Sequence, residues 1–395
     1  MPTALTANHQ ASTRTAVPLR ILHVTRSIDP RSGGTYEGAR CLAASQLANG
    51  HTVETVALDA PGLTHAMPGE VHLVGPGSGA YGRTTALDSW LTNNLARFSV
   101  VVVHGLWQYH GFSARKICLK AGVPYAVFPH GMLDPWFKRT YPLKHLKKWL
   151  YWPWGEYRVL RDAAAVLFTA EEERQAARQS FWLYRAHEEV VGFGTETPPD
   201  DAETQRNAFL ARFPELRDKR LLLFIGRVHP KKGVDLLMRA FAAHGANLHL
   251  VMAGPDPDGM RPMLEQLAGA AASRITWTGM IQGAEKWGAF RCAEAFILPS
   301  HQENFGVAVA EALACGLPVL ISRRVNIWRE IDQAGAGWTA EDDEAGCSEL
   351  VQRWASSSAD DRTRLRAATR PCFVAHFAMA GAAARLDTVL RRLVR

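Results

Sequence analysis

The stretch Leu221-Leu-Leu-Phe-Ile-Gly-Arg-Val-His-Pro-Lys-Lys-Gly233 decides the fold. Five apolar residues in succession cannot alternate between core and solvent, so this strand is buried on both faces, as in a parallel sheet covered by helices. Gly226, Pro230 and Gly233 then punctuate a turn, and an amphipathic helix follows from Val234. The same strand–turn–helix unit recurs on either side. Downstream, strands are predicted at Leu248–Gly254, Ile275–Gly279, Ala295–Pro299 and Pro318–Ile321. Upstream they are predicted at Leu19–Val24, Thr52–Leu58, Val100–His104, Pro124–Pro129 and Ala164–Thr169, with helices such as Tyr36–Asn49 and Phe112–Ala121 between them. Strands alternating with helices imply a doubly wound α/β architecture. The Gly-, Pro- and acid-rich run Gly192–Asp201 interrupts the pattern and divides the chain into two halves. Ligands of such sheets bind beyond the carboxyl ends of the strands, so chemistry is sought in the loops there.

The 395 residues exceed one comfortable core, which agrees with two domains. A 47% hydrophobic and 21% charged composition excludes disordered, collagen-like and coiled-coil chains. The net charge of +7 suits a protein that handles anions and falls short of a dedicated nucleic-acid binder, so no nucleic-acid partner is expected. Cysteines 41, 118, 292, 315, 347 and 372 are dispersed with no CxxC pair, which favours a reducing, cytoplasmic location. Residues 1–18 read as a disordered tail without the apolar core of a signal peptide, and no apolar run is long enough to span a membrane.

Three loops carry groups suited to an anionic ligand. The first strand leads into Gly33-Gly34 at a helix start, where bare backbone permits close approach. The turn after Leu221–Ile225 places the Arg227 guanidinium and the Lys232 ammonium together, a cradle for a diphosphate. The segment Ser300-His-Gln-Glu-Asn-Phe-Gly-Val-Ala-Val-Ala-Glu311 opens a helix near Asn304, Phe305, Gly306 and Val307, a natural anion site. Phe305 to Glu311 rises about 9 Å along a helix, so Glu303 and Glu311 would flank a bound diphosphate and accept hydroxyl hydrogen bonds. Acids facing a polyol beside cations facing phosphates suggest a nucleotide-sugar. His130-Gly131, after Pro124–Pro129, faces the same cleft, and His104-Gly105 repeats it one strand earlier. Gly75-Pro-Gly-Ser-Gly-Ala-Tyr-Gly82 follows no first βαβ strand and is not a dinucleotide site.

These motifs resemble the retaining glycosyltransferases of family 4, whose GT-B fold sets two Rossmann-like domains across a cleft. The likeness runs over nearly the whole chain. It rests on Gly226-Arg227 with Lys232-Gly233, Glu303 and Glu311 eight positions apart, Gly33-Gly34, His130-Gly131, Gly254-Pro255, Pro299-Ser300 and Glu311-Ala-Leu-Ala-Cys-Gly-Leu-Pro318. It implies an acceptor-binding domain at 19–195, a nucleotide-sugar-binding domain at 200–372, and a terminal helix at 373–395 returning to the first domain. It further implies donor contacts from Gly33, Gly34, Gly226, Arg227, Lys232, Glu303, Asn304, Phe305, Gly306, Val307 and Glu311. Of these, Arg227 and Lys232 would stabilise the departing phosphate, with Glu303 and His130 beside the transferred sugar and Glu311 on the ribose. Retention by front-face attack needs no assigned base, and no cofactor or divalent metal is expected; Asp256-Pro-Asp258 reads as a turn. Two departures are Gly192-Phe193-Gly194, where an Asn-Gly turn is common, and Ser322–Glu330, which lacks the usual Gly- and Pro-rich character.

Between 131 and 161 lie seven positive side chains and two negative ones, most of the net charge, interleaved with aromatic residues. Lys138, Arg139, Lys144, Lys147, Lys148, Trp149 and Trp152 are therefore expected on an acceptor-side surface that meets an anionic membrane peripherally; the alternative is a solvated helix packed on the first domain. The expected reaction moves a hexosyl residue from GDP-mannose or a UDP-hexose to a glycan or lipid-linked acceptor of surface polysaccharide or glycolipid synthesis. A nucleotide-sugar 2-epimerase and a non-catalytic sugar-binding protein are the competing readings.

Overall fold

The computed structural model describes residues 17–63, 67–140 and 142–395, without the side chains of 137 and 139. Nearly all of the expected tail at 1–18 lies outside the described residues. Two separate parallel sheets carry the chain. The first has seven strands: β1 (Arg20–Thr25), β2 (Thr52–Ala57), β3 (Glu70–Leu73), β4 (Val100–His104), β5 (Tyr125–Phe128), β6 (Ala165–Phe168) and β7 (Glu188–Val190), in the order β3-β2-β1-β4-β5-β6-β7. The second has six: β8 (Leu221–Ile225), β9 (His249–Ala253), β10 (Ile275–Gly279), β11 (Ala295–Leu298), β12 (Val319–Ser322) and β13 (Gly337–Ala340), ordered β10-β9-β8-β11-β12-β13. In both, the chain starts at the centre, winds outward, then returns to build the other half. The reversals fall between β1 and β4 and between β8 and β11, where the neighbouring loops diverge and leave a crevice.

Every residue of β4 and β5 is buried, because helices cover both sheet faces. Three strands beyond the predicted ten appear at sheet edges. β3 (EVHL) and β7 (EEV) are half-exposed and lack an apolar run, and β13 (GWTA) is too short and mixed in character to read as a strand.

The chain passes between the sheets twice. The first passage follows β7. The second follows the helix Ala359–Cys372, where a π turn at Phe373–Phe377 ends the run. The two passages are bonded together: Thr195 N–H donates to Phe377 O at 3.0 Å, and Met379 N–H to Thr195 O at 3.1 Å. Gly194 is required there, since a Cβ would lie 2.6 Å from Met379 N. The final helix, Met379–Leu393, then buries Met379, Leu386, Val389 and Leu390 among Leu19, Ile21, Cys41 and Leu42 of the first domain. His51 Nε2 meets Asp387 Oδ1 at 2.7 Å across that contact.

Candidate active site

A cavity of about 300 Å³ opens where the strand ends of the two sheets face one another. Gly34, Thr35, His130, Gly131, Met132, Thr169 and Phe193 line one wall; Arg227, His229, Lys231, Lys232 and Gln302–Val307 line the other.

The second wall is built from two turns. After β8, Gly233 adopts φ 64°, and a Cβ there would strike Pro299 O at 2.1 Å, so glycine is needed for the Arg227–Lys232 turn to lie against β11. Arg227 is exposed and has no ion-pair partner among the described residues. Lys232 pairs with Glu303. Burial pushes the Glu303 carboxyl up, but Lys232, and Lys231 behind it, outweigh that and hold it below the usual range. Lys231 is pulled below the ordinary lysine range by burial, and its ammonium sits 5.7 Å from the centroid of Trp136. Glu303 is fixed at both backbone ends, its N–H on Arg324 O and its C=O accepting from Asn326 N–H. Gly306, at φ 75°, caps the helix Val307–Ala314 and leaves the first amides directed at the cavity.

On the first wall, His130 stands at φ 51° and Gly131 at φ 73°. Glu173 anchors this turn: its carboxylate accepts from Gly131 N–H at 2.6 Å and from Thr169 N–H and Oγ1–H, each at 2.7 Å. Asn304 crosses the cleft to donate to Thr169 Oγ1 at 3.1 Å. Gln302 does the same to Asp134 at 3.2 Å. Three cationic side chains, a helix N-terminus and one paired carboxylate thus converge on a space that a diphosphate and a sugar ring would fill.

The chain's two halves match two family models, the "Glycosyl transferase 4-like domain" over residues 33–194 and "Glycosyl transferases group 1" over residues 219–356. Each half of the chain thus carries a glycosyl transferase family domain. Among characterised relatives it resembles the D-inositol 3-phosphate glycosyltransferase of Actinosynnema mirum (32% identity over 186 residues, 42% of either chain). It also resembles the alpha-D-kanosaminyltransferase of Streptomyces kanamyceticus (30% over 179 residues, 44% of this chain and 46% of that one). These matches span less than half of each relative's length. In architecture it is similar to the sucrose-phosphate synthase of Thermosynechococcus elongatus, with TM-score 0.73 and 18% identity over 95% of this chain and 99% of that one. The Anabaena protein Alr3699/HepE, solved with UDP and glucose, gives TM-score 0.72 and 14% identity over 94% and 99%. The fold of the chain is GT-B.

Of the donor-site residues expected from sequence, Gly34, Arg227, Lys232, Glu303, Asn304, Phe305, Gly306 and Val307 meet at the cavity with His130. Gly33 caps the helix Gly34–Ala48 just behind it, and Gly226 lies in the turn base, its N–H on Ala253 O at 2.9 Å. Glu311 is not on the cavity wall. It is buried about one turn into its helix and bonded by Lys286 Nζ at 2.6 Å, with its carboxyl pushed up by burial. Asp256 is committed to its turn, its carboxylate accepting from Met260 and Arg261 N–H, both at 2.9 Å. Thr35, Thr169, Glu173, Phe193 and His229 were missed; Thr169, Glu173 and Phe193 make contacts far along the chain that no local motif signals.

The expected acceptor-side surface needs correction at two residues. Trp152 is fully buried, stacked on Phe181 at 4.2 Å, because the domain core claims its ring. Lys148 is half-buried, its ammonium 4.4 Å from the Trp107 centroid. Lys138, Lys144, Lys147 and Trp149 are exposed; the side chain of Arg139 lies outside the described residues. The helix Pro142–Tyr151 is inverted in character. It turns His145 inward and exposes Leu143, Leu146 and Leu150, joined by Trp149, Trp154 and Trp182. Among the described residues, no helix is long and apolar enough to cross a membrane.

Proposed function

We propose that the protein transfers a hexosyl residue, with retention of configuration, from a nucleotide-diphosphate sugar to a glycan or lipid-linked acceptor. The observation that carries this reading is the exposed Arg227, without an ion-pair partner among the described residues, beside the Lys232–Glu303 pair and the amides of Gly306 and Val307. A guanidinium held open on a cleft wall is an anion receptor. Charge builds on the leaving phosphate as the glycosidic bond breaks, and preorganised cations and amides stabilise that charge without reorganising. Glu303 would then accept from sugar hydroxyls, His130 would sit beside the sugar, and Glu311 would reach the ribose as the domains close. Cationic side chains do the work a metal ion would do, so transfer is expected to persist in EDTA.

The UDP-glucose complex of the Anabaena protein makes UDP-glucose the first donor to test, with GDP-mannose second. Thermal-shift screening of nucleotide diphosphates and nucleotide-sugars, followed by transfer assays with the stabilising donor, tests the reading. No stabilisation by any of them would end it.

For the acceptor, the inverted helix Pro142–Tyr151 supports peripheral docking on an anionic membrane of the cytoplasmic face. Exposed leucines and tryptophans beside Lys144 and Lys147 suit an interfacial helix. Co-sedimentation with anionic vesicles should be strong at low salt and lost in Leu146→Glu/Leu150→Glu; binding unchanged by that pair would refute it.

A further inference from the structure

Behind the cleft wall, three histidines lie in a row, on β1, on β4 and in the turn after the adjacent β5. His130 Nε2 meets His104 Nδ1 at 3.0 Å, His104 Nε2 meets His23 Nδ1 at 2.7 Å, and His23 Nε2 meets Gln46 Oε1 at 2.7 Å. The rings are stacked: His104 lies 5.3 Å from His130 and 5.0 Å from His23 between centroids, and Phe128 packs on the first two. His23 and His104 are wholly buried, and no carboxylate bonds any of the three rings among the described residues.

A neutral imidazole offers one donor and one acceptor, so each contact in such a row fixes the sense of the next. Gln46 Oε1 accepts only, which makes His23 Nε2 a donor. His23 Nδ1 must then accept from His104 Nε2–H, and His104 Nδ1 from His130 Nε2–H. The row ends at Gln46, whose Nε2 is buried without a partner. At the other end, His130 Nδ1 makes no bond within the described protein, and the ring lines the cavity.

We propose that Gln46, His23 and His104 are positioning residues that lock His130 as the Nε2–H tautomer, so that Nδ1 presents a lone pair to a hydroxyl of the donor sugar. This rests on the transferase reading above and specifies how one wall recognises the sugar. Burial supports it: desolvation lowers His130 and His23 to about 4 and His104 well below its ordinary value, so the row stays uncharged at neutral pH.

The test is long-range 1H–15N correlation of histidine-labelled full-length protein, with the three residues assigned through single variants. All three should show protonated Nε2 and bare Nδ1; Nδ1–H forms, or mixed tautomers, overturn the proposal. His104→Phe keeps an aromatic ring in the stack and cuts the row. It should give His130 averaged tautomer signals and lower kcat/KM for the donor by about tenfold, whereas an unchanged His130 spectrum refutes the lock. Gln46→Glu keeps the acceptor end and should preserve the His130 tautomer; Gln46→Met should release it. The spectra need no turnover. A protein that binds no nucleotide-sugar but shows the three Nε2–H forms would defeat the transferase reading and leave the lock standing.

Discussion

Replacing Glu156 by Gln should stabilise the first domain at neutral pH and do nothing at acid pH. Glu156 is 1% exposed; its Oε1 accepts from Trp107 N–H at 2.7 Å, and its Oε2 is buried without a partner. Burial raises its carboxyl to about 8, against the pull of that amide and of Lys148. The folded-state value lies above the unfolded one, so the fold binds the extra proton between about pH 4.5 and 8, and stability is lost as pH rises through that window. At pH 7 the solution lies about 2.5 units above the unfolded value, while the folded carboxyl, at about 8, still holds its proton. At about 1.36 kcal/mol per unit, holding the proton costs about 3 kcal/mol. Gln keeps the acceptor for Trp107 and titrates in neither state. Its Nε2 inherits the partnerless position that the carboxyl proton occupies now, so that term cancels. Glu156→Gln should therefore match the parent at pH 4.5 and exceed it at pH 7, by roughly 6–12 °C in the first domain's Tm. Calorimetric melts at four values between pH 4.5 and 8 read this directly. A difference independent of pH, or a variant less stable at pH 7, would mean that Glu156 is ionised and paired with Lys148, and would refute the argument.

Removing the cation that faces the leaving group, Lys232→Ala, should lower kcat by about 10²–10³ while leaving Tm nearly unchanged; Glu303→Gln should weaken donor use in the same steady-state assay. Gly131→Ala forces a positive φ on alanine and sets a Cβ 2.8 Å from Asn304 Cβ across the cleft. It should cost about 1–2 kcal/mol in urea melts and raise KM for the donor, with Asn304→Gly in the same chain restoring KM. His23, His110 and His130 are all lowered to about 4 by burial. Unfolded histidines take up protons below about pH 6.5 and these do not until about 4, so stability should fall as pH drops across that interval. A Tm that falls steadily between pH 6 and 4.5 checks it, and His110→Phe should flatten the slope.

What was readable in the sequence was what depends on near neighbours along the chain. Val100–Val103 and Leu221–Ile225 announce buried parallel strands because both faces need apolar side chains, and Arg227 to Gly233 is a single turn whose charges must lie together. β3 and β7 escaped because an edge strand meets solvent on one side and can spell itself EVHL or EEV. Glu311 looked equivalent to Glu303 since helical rise gives separation along an axis but not which wall a side chain reaches. The histidine row was illegible for a different reason: its members are 23, 46, 104 and 130, and only the strand order β1-β4-β5 makes them neighbours. Trp152 was misplaced because an aromatic–basic pattern does not say which ring the core will claim. Positions 145, 148 and 152 share one helical face, and that face points inward.

The helix Met379–Leu393 completes the core of the first domain, yet it is the last described segment to leave the ribosome. The first domain is thus begun first and finished last, after the whole second domain has been made. Until then Leu19, Ile21, Cys41 and Leu42 lack their cover, and an apolar face of the growing chain waits for its partner. Folding of the two halves is coupled through synthesis order as well as through the cleft. Swapping the second domain between relatives by cutting near residue 200 alone would carry away part of the first; a graft that leaves both domains whole needs a second junction near 378.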